Sequence, residues 1–155
     1  MRTLRGVLTA SGVILVCAVA MPGTVRAQLS VGTWERKWDK ASAGMTGSIT
    51  MTVEECCKGG RKLTYHMNFN GTKSVMTVES PFDGTAVPVL VNGKPSGETM
   101  TIKRTDDHHT ITVMTMKGRP FGTSKATLSA DGKLLTVINE TLQPKGIQTE
   151  IWIKK

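Results

Sequence analysis

The densest group of potential metal ligands in the sequence is the run Asp106-Asp107-His108-His109. Carboxylate and imidazole groups bind divalent ions, and the thioethers of Met114 and Met116, which alternate along the following segment, suit Cu(I). The same four residues have the length of a hairpin turn, in which Asp and His tolerate unusual backbone angles. We therefore expect a turn and assign no metal or cofactor, while a periplasmic metal-binding module that uses these His and Met residues stays open as an alternative.

Catalysis has little support in the sequence. The chain contains no Gly-x-Ser-x-Gly segment, and no His or acidic residue has the context of a Ser-His-Asp triad. Paired carboxylates that could hydrolyse a glycoside cannot be recognised without geometry. We therefore predict that the protein is not an enzyme and has no catalytic residues.

Alternating apolar residues are better candidates for a functional role. Leu63, Tyr65, Met67 and Phe69 share one face of a predicted strand, and His66 lies on the polar face. Such a face is either packed core or the wall of a ligand cavity, and Met side chains suit both. Arg104 shares a face with Met100 and is either a polar anchor inside a cavity or a strand-end residue that reaches solvent. The candidate ligand-binding residues are Trp34, Met51, Tyr65, Met67, Phe69, Met100, Arg104 and Trp152.

These residues fall in short segments that alternate apolar and polar side chains, which is typical of half-buried strands. Thr is frequent at the polar positions and suits an extended backbone. The strands predicted from this pattern are 49–53, 63–69, 75–79, 87–91, 99–103, 110–117, 121–129, 134–141 and 149–153. The predicted turns are Asn70-Gly71, Asp83-Gly84, Asn92-Gly93, Lys117-Gly118, Asp131-Gly132 and Lys145-Gly146. The pattern predicts an all-β, antiparallel up-and-down meander of about 8–10 strands that closes into a small barrel or clam.

Three segments of the sequence resemble the lipocalin and fatty-acid-binding proteins. The start Val31-Gly32-Thr33-Trp34-Glu35 resembles their Gly-x-Trp opening strand. Residues 126–137 resemble the penultimate hairpin of the fatty-acid-binding branch, and residues 148–155 resemble its last strand. The chain also resembles small secreted bacterial proteins of uncharacterised function. The resemblance implies a calycin-like barrel with room for a small ligand.

The sequence departs from that family where its ligand is held. The resemblance implies a helix-turn-helix lid after the first strand, but the segment that could form it, residues 39–46, is too short for two helices. The family holds a fatty carboxylate with an Arg before the penultimate turn and an Arg-x-Tyr in the last strand, where this chain has Thr127, Glu150 and Trp152. Because Glu150 would repel a carboxylate, we do not expect a fatty acid held in the family manner.

The first 27 residues have the pattern of an export signal. Arg2 and Arg5 precede an uncharged apolar run over residues 6–20, and Val25 and Ala27 are the small residues before a cleavage site at Gln28. The run is shorter than the roughly 20 residues that span a bilayer, although a permanent N-terminal anchor stays an alternative. We therefore predict a signal peptide over 1–27, a single lipocalin-like domain over 28–155, and a periplasmic or secreted location.

The charge of the chain changes once that segment is removed. The predicted signal peptide contains three of the 20 basic residues and no acidic one, so the net charge falls from +8 to +5 on its removal. We expect the remaining basic residues on turns and outer strand faces, among them Arg36, Arg61 and Arg104. Aromatic residues do not alternate with them, so we predict no nucleic-acid partner. A weak, salt-screened attraction to anionic envelope surfaces stays open.

Only two cysteines remain after cleavage, the neighbours Cys56 and Cys57 in a predicted turn. Because disulfide geometry is narrow, we expect them to be free or paired between molecules. Taken together, the sequence predicts an exported, monomeric, non-catalytic barrel that binds a small apolar ligand. The alternative is an envelope structural or interaction module with a filled barrel.

Overall fold

The computed structural model describes residues 29–37 and 47–155. These residues form ten strands. They are β1 (Gly32–Lys37), β2 (Gly47–Cys56), β3 (Gly60–Phe69), β4 (Thr72–Ser80), β5 (Asp83–Val91), β6 (Lys94–Arg104), β7 (His109–Met116), β8 (Arg119–Leu128), β9 (Leu134–Leu142) and β10 (Lys145–Lys154). The predicted signal peptide and the segment 39–46 lie outside the described residues.

The ten strands form a closed antiparallel barrel with up-and-down order. Each strand pairs with its neighbours in the chain, and β1 closes the sheet on β10 through the register Arg36↔Trp152. Each predicted strand overlaps one observed strand, because the alternation of side chains sets both the strand and the face that it buries. The predicted fold class is confirmed, and the closed barrel replaces the open clam.

Short turns join the strands at one end of the barrel. Asn70-Gly71, Asn92-Gly93 and Lys117-Gly118 have positive φ at both residues, as the two-residue type I′ hairpin requires. Two predicted turns are wrong. Asp83-Gly84 begins β5, with the turn at Pro81 and Phe82, and Lys145-Gly146 begins β10, with the turn at Gln143-Pro144. In both cases the chain turns at the proline-containing pair before the glycine dipeptide.

The sheet is least regular around β5. Hydrogen-bonded pairing of β4 with β5 covers only Met76↔Val91 and Thr77↔Leu90. The pairing of β5 with β6 shifts register around Pro88, which has no N–H to give to a ladder. The remaining strands pair over longer stretches, so the closed barrel depends on them.

The core packs at the end of the barrel opposite these short turns. Trp34, Val53 and Val78 are almost completely buried, and the indole Nε1 of Trp34 donates a hydrogen bond to the carbonyl of Ser30 at 3.2 Å. Arg61 is also buried, and its Nε donates to the carbonyl of Leu29 at 2.9 Å. The segment before β1 is thereby held across this end, where Leu29 packs against the core.

The turn between β2 and β3 contains the two neighbouring cysteines. Cys56 and Cys57 are joined to each other by a disulfide, so the expectation of free or intermolecularly paired thiols is wrong. The chain reverses within a turn in which Cys57, Lys58 and Gly59 all have positive φ. This reversal brings the two neighbouring sulfur atoms together. Among the described residues, no helix is long and apolar enough to cross a membrane.

Candidate functional site

The barrel encloses a cavity of about 410 Å³. Inward-facing side chains from β1 to β4 and from β6 to β10 form its wall, because every second residue of a barrel strand points inside. The part of the wall formed by β2, β3, β4 and β6 is mostly apolar. It is formed by Ile49, Met51, Leu63, Tyr65, Met67, Met76, Met100 and Ile102. A cavity of this volume is within the range of small-molecule sites, roughly 300–1,000 Å³.

Six of the eight predicted ligand-binding residues line this cavity: Met51, Tyr65, Met67, Met100, Arg104 and Trp152. The other two do not belong to its wall. Trp34 is fully buried in the core, and Phe69 packs against the core beside Gly47 at the end of β3. The structure thus brings most of the predicted residues together around one space.

An ion pair lies inside the barrel where β1 closes on β10, next to the apolar part of the wall. A terminal guanidinium nitrogen of Arg36 is 3.3 Å from Oε1 of Glu150, with only 9% and 16% of the two side chains exposed. The indole Nε1 of Trp152 donates a hydrogen bond to the other carboxylate oxygen, Oε2, at 3.1 Å. Both oxygens of Glu150 are therefore occupied, and the charges of Arg36 and Glu150 offset each other within the wall.

Tyr65 joins this polar group to the apolar wall. Its ring packs edge-on against Trp152, with ring centroids 5.8 Å apart. Burial raises the pKa of the Tyr65 phenol well above its ordinary value, and the nearby Glu150 carboxylate raises that pKa further. The Tyr65 phenol therefore keeps its proton to a higher pH than an exposed tyrosine does.

Further polar side chains continue along β7 to β10. The hydroxyl of Ser124 donates a hydrogen bond to Oδ1 of Asn139 at 2.5 Å, and both residues line the cavity. Thr112 and Gln148 lie on the same wall. The cavity therefore has a mostly apolar side, with Arg104 at the end of β6, and a side that offers uncharged hydrogen-bonding groups around the ion pair of Arg36 and Glu150.

The sequence interpretation misplaced two arginines. Arg36 and Arg61 were expected on turns or outer faces, but both are buried. The alternation that placed Trp34 inside also places Arg36 inside, two residues along the same strand. That signal was present in the sequence. The same alternation places Glu150 inside, because it lies two residues before the inward-facing Trp152 on β10. The contact between Arg36 and Glu150, however, depends on the closure of β1 on β10.

The Asp106–His109 segment is a turn, as expected. The Asp106 carboxylate accepts hydrogen bonds from the backbone N–H groups of His108 and His109 at 2.8 and 2.9 Å, and the Nδ1 atom of His109 lies 2.8 Å from it. These contacts hold the pKa of Asp106 below its ordinary value. The ring of His108 is engaged with the carbonyl of Leu128 at 3.0 Å.

Of the four residues of the metal alternative, His108, His109 and Met114 line the cavity and Met116 does not. Within residues 29–37 and 47–155, no group of three or more His, Cys, Asp and Glu residues could hold a metal ion. Met114 lines the cavity, whereas Met116 is an exposed residue beside Gly97, after a register shift between β7 and β8. The structure gives the metal-binding alternative no support.

The fold and the cavity define a small, closed, up-and-down β-barrel with an internal space, an architecture consistent with a calycin-like fold. Comparison with protein-family models and with curated protein sequences gives no match to the chain. The resemblance to lipocalins and fatty-acid-binding proteins therefore stays a resemblance of fold and of short motifs.

Proposed function

We propose that the protein is an exported, non-catalytic carrier that holds one small, mainly apolar molecule inside its barrel. The observation that carries this proposal is the cavity of about 410 Å³, lined on one side by Met, Leu, Ile and Tyr side chains. Replacing water by a ligand on the apolar surface of such a cavity lowers the free energy of the system, which favours binding. Flexible Met side chains adapt to ligands of irregular shape.

The cavity favours a carrier over the alternative of an envelope module with a filled barrel. A filled barrel needs inward side chains that meet at its centre, as in small barrels with packed interiors. Here the inward positions of β7 to β9 include small side chains such as Thr112, Ser124 and Ala126, which leave the centre open. The export part of the proposal depends on the signal pattern of residues 1–27.

The proposal is tested by the contents of the barrel. The protein is expressed with its own signal, purified from the exported fraction, and weighed intact under native conditions before and after organic extraction. We expect a bound molecule in the native mass and the same molecule in the extract. Fluorescence of a neutral apolar dye, phenyl-naphthylamine, measures binding to the extracted protein.

A matched pair of variants tests whether the dye binds inside the barrel. Ala126 lines the cavity, whereas its neighbour Thr127 is exposed on the outer face of β8. Ala126→Phe fills part of the cavity and should lower dye affinity at least tenfold, while Thr127→Phe should leave it unchanged. Circular dichroism confirms that both variants are folded. Equal dye binding by the two folded variants, together with an empty native protein, would contradict the carrier function.

A further inference from the structure

One end of the barrel carries a ring of positive charge. The four hairpins β3–β4, β5–β6, β7–β8 and β9–β10 all turn at this end, and every one has a basic residue in its turn or within two residues of it. These residues, here called the basic rim, are Lys73, Lys94, Lys117, Arg119 and Lys145. All five are exposed. The four turns, which lie wholly within the described part of the chain, contain no Asp or Glu over residues 70–73, 92–95, 117–120 and 143–146.

The opposite end of the barrel has a different charge pattern. Its turns contain the acidic residues Asp106, Asp107 and Asp131 together with the basic residues Lys58 and Lys133. The positive charge is therefore concentrated at one end rather than spread evenly. An arrangement of this kind orients a protein in front of a negatively charged surface.

Exposed apolar side chains accompany the basic rim. Ile147 and Leu142, on the outer face of the β9–β10 hairpin, are 72% and 53% exposed, more than any other large hydrophobic residue in the described part of the chain. Met116 is also exposed and directly precedes Lys117. Cations next to exposed apolar side chains are the combination that binds the interface of an anionic bilayer.

The cavity reaches the same end. Thr141 and Gln148 line the cavity and are exposed, and they belong to the hairpin that carries Leu142 and Ile147. Phe121, two residues after Arg119, also lines the cavity. The cavity therefore reaches the end of the barrel that carries the basic rim, and it also reaches the opposite end, where its lining includes Asp106 and His109.

We propose that the basic rim docks the protein onto an anionic lipid surface, with this end of the cavity towards the bilayer. The charged groups bind lipid headgroups from four separate turns, and Leu142 and Ile147 enter the interface. A soluble polyanion would use the charges but would gain nothing from the two apolar residues, which is why the lipid surface is the better partner. Docking does not require a ligand in the barrel, so it stands apart from the carrier function.

The test compares two triple charge reversals in the protein that starts at Gln28. The rim variant is Lys73→Glu, Lys94→Glu, Lys145→Glu, and the control variant is Lys58→Glu, Lys103→Glu, Lys133→Glu at the opposite end. Both change the net charge equally. Binding is measured by co-sedimentation with vesicles of phosphatidylcholine, with and without phosphatidylglycerol. Circular dichroism and dye binding confirm that each variant keeps its fold and its cavity.

We expect the parent protein to bind only the vesicles that contain phosphatidylglycerol, and to be released by salt. Each rim cation contributes about fivefold to partitioning, so the rim variant should lose nearly all binding while the control variant keeps most of it. Leu142→Ser with Ile147→Ser should weaken vesicle binding and leave binding to soluble polyphosphate unchanged. The proposal is overturned if both charge variants lose vesicle binding equally, or if the two serine substitutions have no effect. It is also overturned if the parent protein binds vesicles of phosphatidylcholine alone as strongly as those that contain phosphatidylglycerol.

Discussion

The guanidinium of Arg36 and the carboxylate of Glu150 meet inside the barrel, where β1 closes on β10, at 3.3 Å. Trp152 supplies a hydrogen bond to the second carboxylate oxygen. Each charge is removed from bulk water, which costs free energy that the partner offsets only when both are present. The same pair therefore stabilises the contact between β1 and β10 and contributes two charged groups to the cavity wall.

Removing either member of this pair should destabilise the protein. We expect Arg36→Met or Glu150→Leu alone to lower the free energy of unfolding by about 2–4 kcal/mol, because each leaves a buried charge without its partner. The double variant should lose clearly less than the sum of the two. Urea denaturation of the four proteins measures this coupling. Additive losses would show that the two charges do not stabilise each other.

Tyr65 offers a direct spectroscopic measure of the same site, since it is the only tyrosine in the chain. Ultraviolet titration of the folded protein should give a pKa above the ordinary value of 10.0, because burial and the Glu150 carboxylate both disfavour the phenolate. In denaturant the pKa should return to the ordinary value. Glu150→Gln should lower the pKa of the folded protein part of the way, since burial remains. Glu140→Gln, at an exposed position, should leave it unchanged.

The sign of the accompanying stability change follows from the raised pKa. Above pH 10 the unfolded chain releases the Tyr65 proton, while the folded protein still holds it. The contribution of Tyr65 to the free energy of unfolding is complete below pH 10 and should therefore decrease as the pH rises above 10. A Tyr65→Phe variant should lose this part of the alkaline dependence.

Local alternation was sufficient to predict most of the barrel. Residues 49–53 and 63–69 alternate apolar and polar side chains, and the structure pairs them across Met51↔Tyr65 in β2 and β3. The contact between Arg36 and Glu150 needed the closure of the first strand on the last, which no local pattern records. The cavity was equally out of reach, since its volume depends on the side chains of nine strands at once. The turn lies at Gln143-Pro144 and not at the predicted Lys145-Gly146, because the latter two residues pair with Leu142 and Thr141 as the start of β10.

A glycine at the start of β3 marks a close approach between strands. A Cβ at Gly60 would lie 2.0 Å from the carbonyl oxygen of Ser80 and 2.5 Å from Cα of Pro81, so backbone would have to move. The φ of Gly60 is −81°, which alanine adopts freely, and the cost is therefore steric. We expect Gly60→Ala to cost about 3 kcal/mol of stability, as overpacking does.

The control for this substitution is Gly132→Ala. Gly132 has φ +68° and nothing within 4 Å of a built Cβ, so the added methyl should cost only about 1–2 kcal/mol for the left-handed backbone. Denaturation midpoints compare the two variants. A Gly60→Ala protein as stable as the Gly132→Ala protein would mean that β3 and β4 do not approach closely at Ser80.

The polar wall of the cavity should select ligands by charge. Arg36 already pairs with Glu150. The carboxylate of a fatty acid that approaches this wall would therefore meet the like charge of the Glu150 carboxylate. An alcohol of the same chain length keeps the apolar contacts and can hydrogen-bond without that repulsion. We expect the extracted protein to bind the alcohol about tenfold more tightly than the acid, a difference of about 1.4 kcal/mol, as measured by displacement of the neutral dye.

Glu150→Gln separates this electrostatic effect from the shape of the cavity. The substitution removes the like charge and leaves the Arg36 guanidinium available, so the affinity for the acid should rise towards that for the alcohol, whose own affinity should change little. Glu140→Gln, which lies on the outer face, should preserve the preference for the alcohol. If the parent protein already binds the acid as tightly as the alcohol, the ligand carboxylate is held away from Glu150. Arg104, the other arginine of the cavity wall, would then be the group to substitute.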